Sequence, residues 1–341
     1  LLKFFKWSYI VSVIGLILAA VYGWQGGALA GAISAVVSAA ILAVLEVSLS
    51  FDNAVVNAKE LKKMDAVWRR RFLTWGMVIA VFGMRLVFPI LIVCVTAWMN
   101  PYEVVHMALT NPNEYAHKLH EAHPAISAFG GMFLFEVFMA WAADPEKDHH
   151  WLEPIEQLLV KAGQYQNALL GFSLLVCASL ALLAPAQHQL TVAVASVAGL
   201  GLKRLIDVLS GVFEQEDAAG VVTRSGAMSF LYLEVLDASF SFDGVIGAFA
   251  VTNLVLIIMI GLMIGAMFVR SMTIMLVELG TLSEYQYLEH GAHWGIGFLA
   301  FAMLGSLFVR VPEVFTGLVG AAFIAFAFMS SLKAKKLEAA T

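Results

Sequence analysis

Glu46-Val-Ser-Leu-Ser-Phe-Asp52-Asn53 and Asp237-Ala-Ser-Phe-Ser-Phe-Asp243-Gly244 are two copies of one phrase. In register they share Ser48 and Ser239, Ser50 and Ser241, Phe51 and Phe242, and Asp52 and Asp243. An acid stands six residues ahead of each aspartate. Both copies lie in strongly apolar surroundings, where a carboxylate is costly and marks a functional site. The aspartates are 191 residues apart (243 − 52), the pattern of an internal duplication with acids at its seam.

The rest of the 341 residues fit that setting. The chain is 61% hydrophobic and 13% charged, whereas soluble domains are about a quarter charged. Long apolar runs recur along its whole length. The composition therefore implies an all-α polytopic membrane protein that lies in a lipid bilayer. Ten hydrophobic segments are expected, at roughly 7–24, 28–58, 72–98, 124–143, 166–184, 189–212, 227–251, 253–277, 293–309 and 314–332. Lys3 and Lys6 precede the first, but Tyr22-Gly-Trp24-Gln-Gly-Gly is a poor cleavage site, so a retained span is expected. The two cysteines, Cys94 and Cys177, sit inside apolar runs and read as small core residues. The net charge of −5 suggests no nucleic-acid partner.

The connection from Lys59 to Arg71 carries six basic residues and is expected on the cytoplasmic side. Ten spans then place both termini in the cytoplasm. Of the 20 Lys and Arg, sixteen fall inside on this topology, Lys118 and Arg310 fall outside, and Arg85 and Arg270 lie within spans. Five connections separate the second span from the seventh, so the two motif helices run in opposite directions. The repeat is expected to be inverted, an arrangement that puts substrate near the bilayer midplane. Each motif is followed by a span with an internal arginine, Arg85 or Arg270, and then by a His-flanked segment, His120–Ile126 or Glu289–Ile296. Two three-span units, 28–143 and 227–309, are read from this. Residues 144–226 connect them, and 310–341 form a last span and cytoplasmic tail.

Six carboxylates lie within or near the spans: Glu46, Asp52, Glu136, Glu234, Asp237 and Asp243. At about 100° per helical residue, Glu46, Ser50, Asn53 and Asn57 share one face. Asp237, Ser241 and Gly244 share the matching face of the second copy, with Glu234 nearby. Helices meeting on those faces form an all-oxygen, acid-rich cage suited to Mn²⁺, Ca²⁺ or Mg²⁺ rather than Zn²⁺ or copper. Asp52 and Asp243 lie about 120° from that face on a regular helix. Either a break or π-bulge in each motif swings them inward, or they pair with Arg85 and Arg270. Glu136, alone in mid-span, is expected to face the central cavity. Close carboxylates without a cation hold protons, which suggests proton-for-metal exchange.

His117, His120 and His123 on one side, and His290 and His293 on the other, are candidate cation-collecting mouths. Asp144–Pro154 is a charged cytoplasmic connection, either a solvated loop or a docking or metal-sensing element. No Ser/His/Asp triad, Gly-rich phosphate loop or CxxC pair is evident, and the chain does not read as an enzyme.

Both motif copies, Glu289-His-Gly-Ala-His293 and the Asp144–Pro154 stretch together resemble the TerC family of integral membrane proteins, specifically a longer subgroup. The resemblance covers most of residues 28–309. It implies an inverted-repeat bundle related to the LysE-type transporter superfamily, metal-ion export best supported for manganese, and an association with tellurite resistance. It further implies that Glu46, Asp52, Asn53, Asp237 and Asp243 bind the ion. Gly244 departs from Asn53, so the two half-sites cannot be equivalent.

The resulting expectation is a secondary transporter of the bacterial inner membrane. It exports a divalent cation, Mn²⁺ favoured, by alternating access and without a resident cofactor. Glu234 and Glu136 would be neighbours or proton carriers, Ser50 and Ser241 supporting groups, and Arg85 and Arg270 latches or mobile counter-charges. The rivals are a non-transporting membrane scaffold or metal sensor with a soluble partner, and an intramembrane enzyme using Asp52 and Asp243. Oligomeric state is not legible in the sequence.

Overall fold

The computed structural model describes residues 2–338 except 77, 146, 148, 213–214, 217–221, 224–225, 281–283 and 310. Apart from a two-residue antiparallel pairing of β1 (Gln215–Glu216) with β2 (Val222–Thr223), the regular elements described are helices. Five helical stretches are long and apolar enough to cross a membrane: Leu2–Leu49, Ala66–Ala97, Pro112–Ala142, Val255–Glu278 and Phe315–Lys336. Large apolar side chains such as Ile17, Val44, Val95, Leu175 and Leu182 point outward, while Glu46, Asp52, Glu136 and Asp237 are buried. That distribution suits a lipid-facing surface around a polar interior.

The first helix, α1 (Leu2–Leu49), is two helices joined at a sharp bend. Gly27 and Ala28 leave helical geometry, and Ala28 takes φ 48°, a region L residues rarely occupy. The chain reverses there, so Gly23 lies directly against Gly31 and Ala35. The expected boundary between the first two segments falls at this bend. α2 (Phe51–Lys63) follows after one non-helical residue, Ser50 (φ −109°, ψ 15°). α3 (Ala66–Arg71) leads into two π-helical stretches, π1 (Phe72–Gly76) and π2 (Ile79–Val87), then α4 (Phe88–Ala97). α5 (Pro101–Thr110), closed by a capping box between Asn100 and Glu103, precedes the long α6 (Pro112–Ala142). α7 (Glu153–Gly163), α8 (Gln166–Leu183) and α9 (Gln189–Val212) come next. The chain ends with α10 (Gly226–Ala248), α11 (Val255–Glu278), α12 (Leu288–Gly305) and α13 (Glu313–Glu338).

Packing crosses between the two halves of the chain. α1 lies on α11, π2 on α10, and α6 on α12. Small residues permit the close approaches, as expected for helices packing in lipid. A Cβ at Gly261 would stand 2.6 Å from the Leu42 Cβ, and one at Gly265 would stand 2.5 Å from the Glu46 Cβ. Gly265→Ala is therefore expected to push α11 off α1 and cost about 1–3 kcal/mol, the usual range for overpacking. Thermal unfolding in detergent checks this, and a wild-type midpoint would contradict the close packing.

Candidate functional site

The two motif copies meet in the interior. Asn53 Nδ2 donates to Asp237 Oδ1 at 2.5 Å, joining α2 to α10. Seven residues back on the first strand of the phrase and seven forward on the second, Gly244 faces Glu46. A Cβ on Gly244 would stand 3.3 Å from the Glu46 carboxylate. The first position of each copy thus meets the eighth position of the other, the register of two antiparallel helices crossing at their motifs. Gly244 in place of a second Asn leaves room for the Glu46 head group. Ser50 Oγ donates to Glu46 Oε1 at 3.1 Å, and Glu46, Ser50, Asn53 and Asp237 are all buried.

Arg85 closes this centre. Its guanidinium donates to Glu46 and lies 3.6 Å from Asp237 Oδ2, while a third contact runs to the Ala80 carbonyl. Arg85 therefore pairs with Glu46 and Asp237, not with Asp52 as one sequence reading had it. The reason is geometric. Arg85 sits on π2, where the i→i+5 pattern rotates side chains away from their α-helical directions. Arg270 makes no aspartate pair among the described residues; its Nη2 donates to the Leu73 carbonyl at 2.9 Å.

Asp52 stays off the central face, as regular helical geometry requires. It is buried, accepts a bond from the Asn53 N–H at 2.9 Å, and lies against Gly295 and Gly320 of α12 and α13. The expected break in each motif occurs once. Ser50 interrupts the first copy, but α10 runs unbroken through the second. The Asp243 side chain lies outside the described residues.

A family described as protein of unknown function (DUF475) matches residues 51–338. The chain belongs to the DUF475 family. No curated protein and no solved structure matches it significantly. The matched span of this DUF475 protein includes Asp52, Asn53, Arg85 and the whole second motif.

Below the Arg85 centre a small cavity of about 30 Å³ opens among α2, π2, α10 and α11, with Asn57, Glu234, Asp237 and Arg270 on its walls. Glu234 is buried, and neither of its carboxylate oxygens has a hydrogen-bond partner among the described residues. Ser241 is also buried, with its hydroxyl unpartnered. Among the described residues, no three His, Cys, Asp or Glu side chains converge as metal ligands. A cation here would draw on carboxamide oxygens as well as acids.

Glu136 corrects the sequence expectation. It turns away from the central cavity, accepts a bond from Ser173, and pairs with Arg204 at 2.8 Å. The two histidine groups differ in exposure. His117 is exposed beside Glu121 at 3.5 Å. His120 is also exposed on α6, and half-buried His123 lies 3.1 Å from Ser127 Oγ. His290 and His293 are buried in a polar plug that the sequence did not disclose. Glu156 of α7 accepts bonds from Trp294 Nε1 at 3.0 Å and the Leu152 N–H at 3.3 Å, with His290 Nδ1 at 3.2 Å and His150 Nδ1 at 3.3 Å. Beside it, Glu289 pairs with Lys59 and accepts from Trp141 Nε1 at 3.2 Å, and His293 stacks on the Trp141 ring.

Proposed function

We propose that this protein is a secondary transporter that moves a divalent cation across a membrane by alternating access. The observation that carries the reading is the reciprocal antiparallel contact of the two motifs, Asn53 with Asp237 and Gly244 with Glu46, around a buried arginine. Buried ionisable groups at the seam of a membrane bundle are costly unless they serve a pathway. Cross-packing of α1 on α11, π2 on α10 and α6 on α12 supports two inverted three-span units within ten spans. The positive-inside distribution supports cytoplasmic termini. The resemblance to the TerC family favours Mn²⁺ and export from a bacterial cytoplasm.

In this mechanism Glu46, Asn53 and Asp237 form the central oxygen donors, and Asp52 and Asp243 belong to the same pathway. Arg85 neutralises the acids when no cation is bound and must yield when one arrives. Protons released from the acids would supply the counter-flow.

The test is Mn²⁺ flux through the full chain reconstituted in vesicles. Wild-type protein is expected to move Mn²⁺ in the direction opposite to proton flow when a proton gradient is imposed, and Asp237→Asn is expected to abolish that flux. An Asp237→Asn protein that folds and transports at the wild-type rate would sink the proposal.

A further inference from the structure

The crossing of α2 and α10 does not end at the Arg85 centre. One turn further along, Asn57 follows Asn53 on α2 and Glu234 precedes Asp237 on α10. In the antiparallel register set by Asn53 and Asp237, these two form the next rung of the same contact. Both line the cavity of about 30 Å³, which has room for one or two water-sized occupants.

The polar atoms on this rung are unusual in lacking partners. Among the described residues, Asn57 Oδ1 and both Glu234 oxygens are buried without a hydrogen bond, and Asp237 Oδ2 has only the Arg85 guanidinium at 3.6 Å. Glu234 is only 8% exposed. A buried carboxylate left unpaired costs free energy, and such groups are ordinarily paired, hydrogen-bonded or bound to metal. Nearby cations do not relieve it. Arg85 is committed to Glu46, with the farther Asp237 contact, and Arg270 reaches the Leu73 carbonyl. No ion pair to Glu234 forms among the described residues. Gly76 provides the space: a Cβ there would stand 2.6 Å from Glu234 Oε1. The donors are all hard oxygens, two of them on carboxylates, which is the chemistry of Mn²⁺, Mg²⁺ or Ca²⁺ sites.

We infer that Asn57, Glu234 and Oδ2 of Asp237 form a loading site for a divalent cation, one helical turn from the Arg85-held centre. This rests on the transport reading. On the proposed topology the loading site lies on the cytoplasmic side, because Lys59–Arg71 follows Asn57 and α10 begins near that end. Asp237 belongs to both sites: Oδ1 is held by Asn53, Oδ2 faces the Arg85 guanidinium at 3.6 Å, and the residue lines the cavity. A cation that arrives at Glu234 can then compete with Arg85 for Asp237 without first crossing the bundle.

The experiment is Mn²⁺ binding to the full-length protein in detergent, followed by equilibrium titration and thermal unfolding. Wild-type protein is expected to bind Mn²⁺ and to melt at a higher temperature with it. Glu234→Gln removes an unpaired buried charge, so it should melt higher than wild type without Mn²⁺. It should also lose at least tenfold in Mn²⁺ affinity. Asn57→Leu, close in volume, should lose several-fold and show a smaller Mn²⁺-induced rise in midpoint. If both variants bind Mn²⁺ as wild type does while Asp237→Asn does not, the loading site is overturned and the transport reading stands. If wild-type protein neither binds nor moves Mn²⁺, the transport reading fails and the loading site with it.

Discussion

Replacing Arg85 by glutamine is expected to destabilise the folded protein by about 3–5 kcal/mol, the cost of leaving buried charge without its partner. The Arg85 side chain is 4% exposed, and its two carboxylate partners, Glu46 and Asp237, are 2% and 9% exposed. None of the three can recover its hydration by a small movement. Asp237 keeps the bond from Asn53, and Glu46 keeps the bond from Ser50, but neither donor carries charge. The double variant Arg85→Gln/Glu46→Gln removes a charge of each sign, so it should regain part of the loss. Denaturation midpoints of the two single variants and the double variant give the coupling directly. Additive effects would mean that Arg85 and Glu46 do not act as a pair.

The same arginine shows where sequence reasoning succeeds and where it stops. Helical spacing places Glu46, Ser50 and Asn53 on one face and separates Asp52 from them, and the fold keeps that division. Asn53 meets Asp237 and Gly244 faces Glu46, so the two copies, matched by their wording in the sequence, lie together in the fold. Partnership across helices is a different matter. Matching Asp52 and Asp243 to the two intramembrane arginines misassigns Arg85, which meets Glu46 and Asp237 instead. Glu136 has no local partner, since Arg204 lies 68 residues away in sequence (204 − 136). His290 and His293 resemble an exposed pair in sequence because nothing local announces that α7 will fold back and deliver Glu156 against them. Periodicity reports which face of an element is buried; it does not report which buried face it meets.

Glu156 provides the second large expected effect. Glu156→Ala should cost about 3 kcal/mol or more, because three donors lose their acceptor at once and each unsatisfied buried donor costs about 1–3 kcal/mol. The donors are Trp294 Nε1 and His290 on α12 and the Leu152 N–H at the start of α7. Lys147 at 3.9 Å and His150 also face the carboxylate, so both are anchored through it. Glu156 belongs to a short amphipathic helix outside the apolar spans, and its acidity is open to a direct test. Burial by itself raises its pKa, but the hydrogen bonds from His290 and Trp294, the electrostatic pull of His290 and the Leu152 N–H outweigh it and hold the group at about 2, from an ordinary 4.5. A depressed carboxylate pKa means that its stabilisation is complete above the unfolded value and is lost as pH falls through the folded one. Wild-type protein should therefore lose this contribution between about pH 4.5 and pH 2. Glu156→Gln lacks the charge at every pH, so its midpoint should lie below wild type near neutrality and converge with it in acid. A gap between the two proteins that stays constant down to pH 2 would show that the Glu156 charge plays no part in holding α7 against α12.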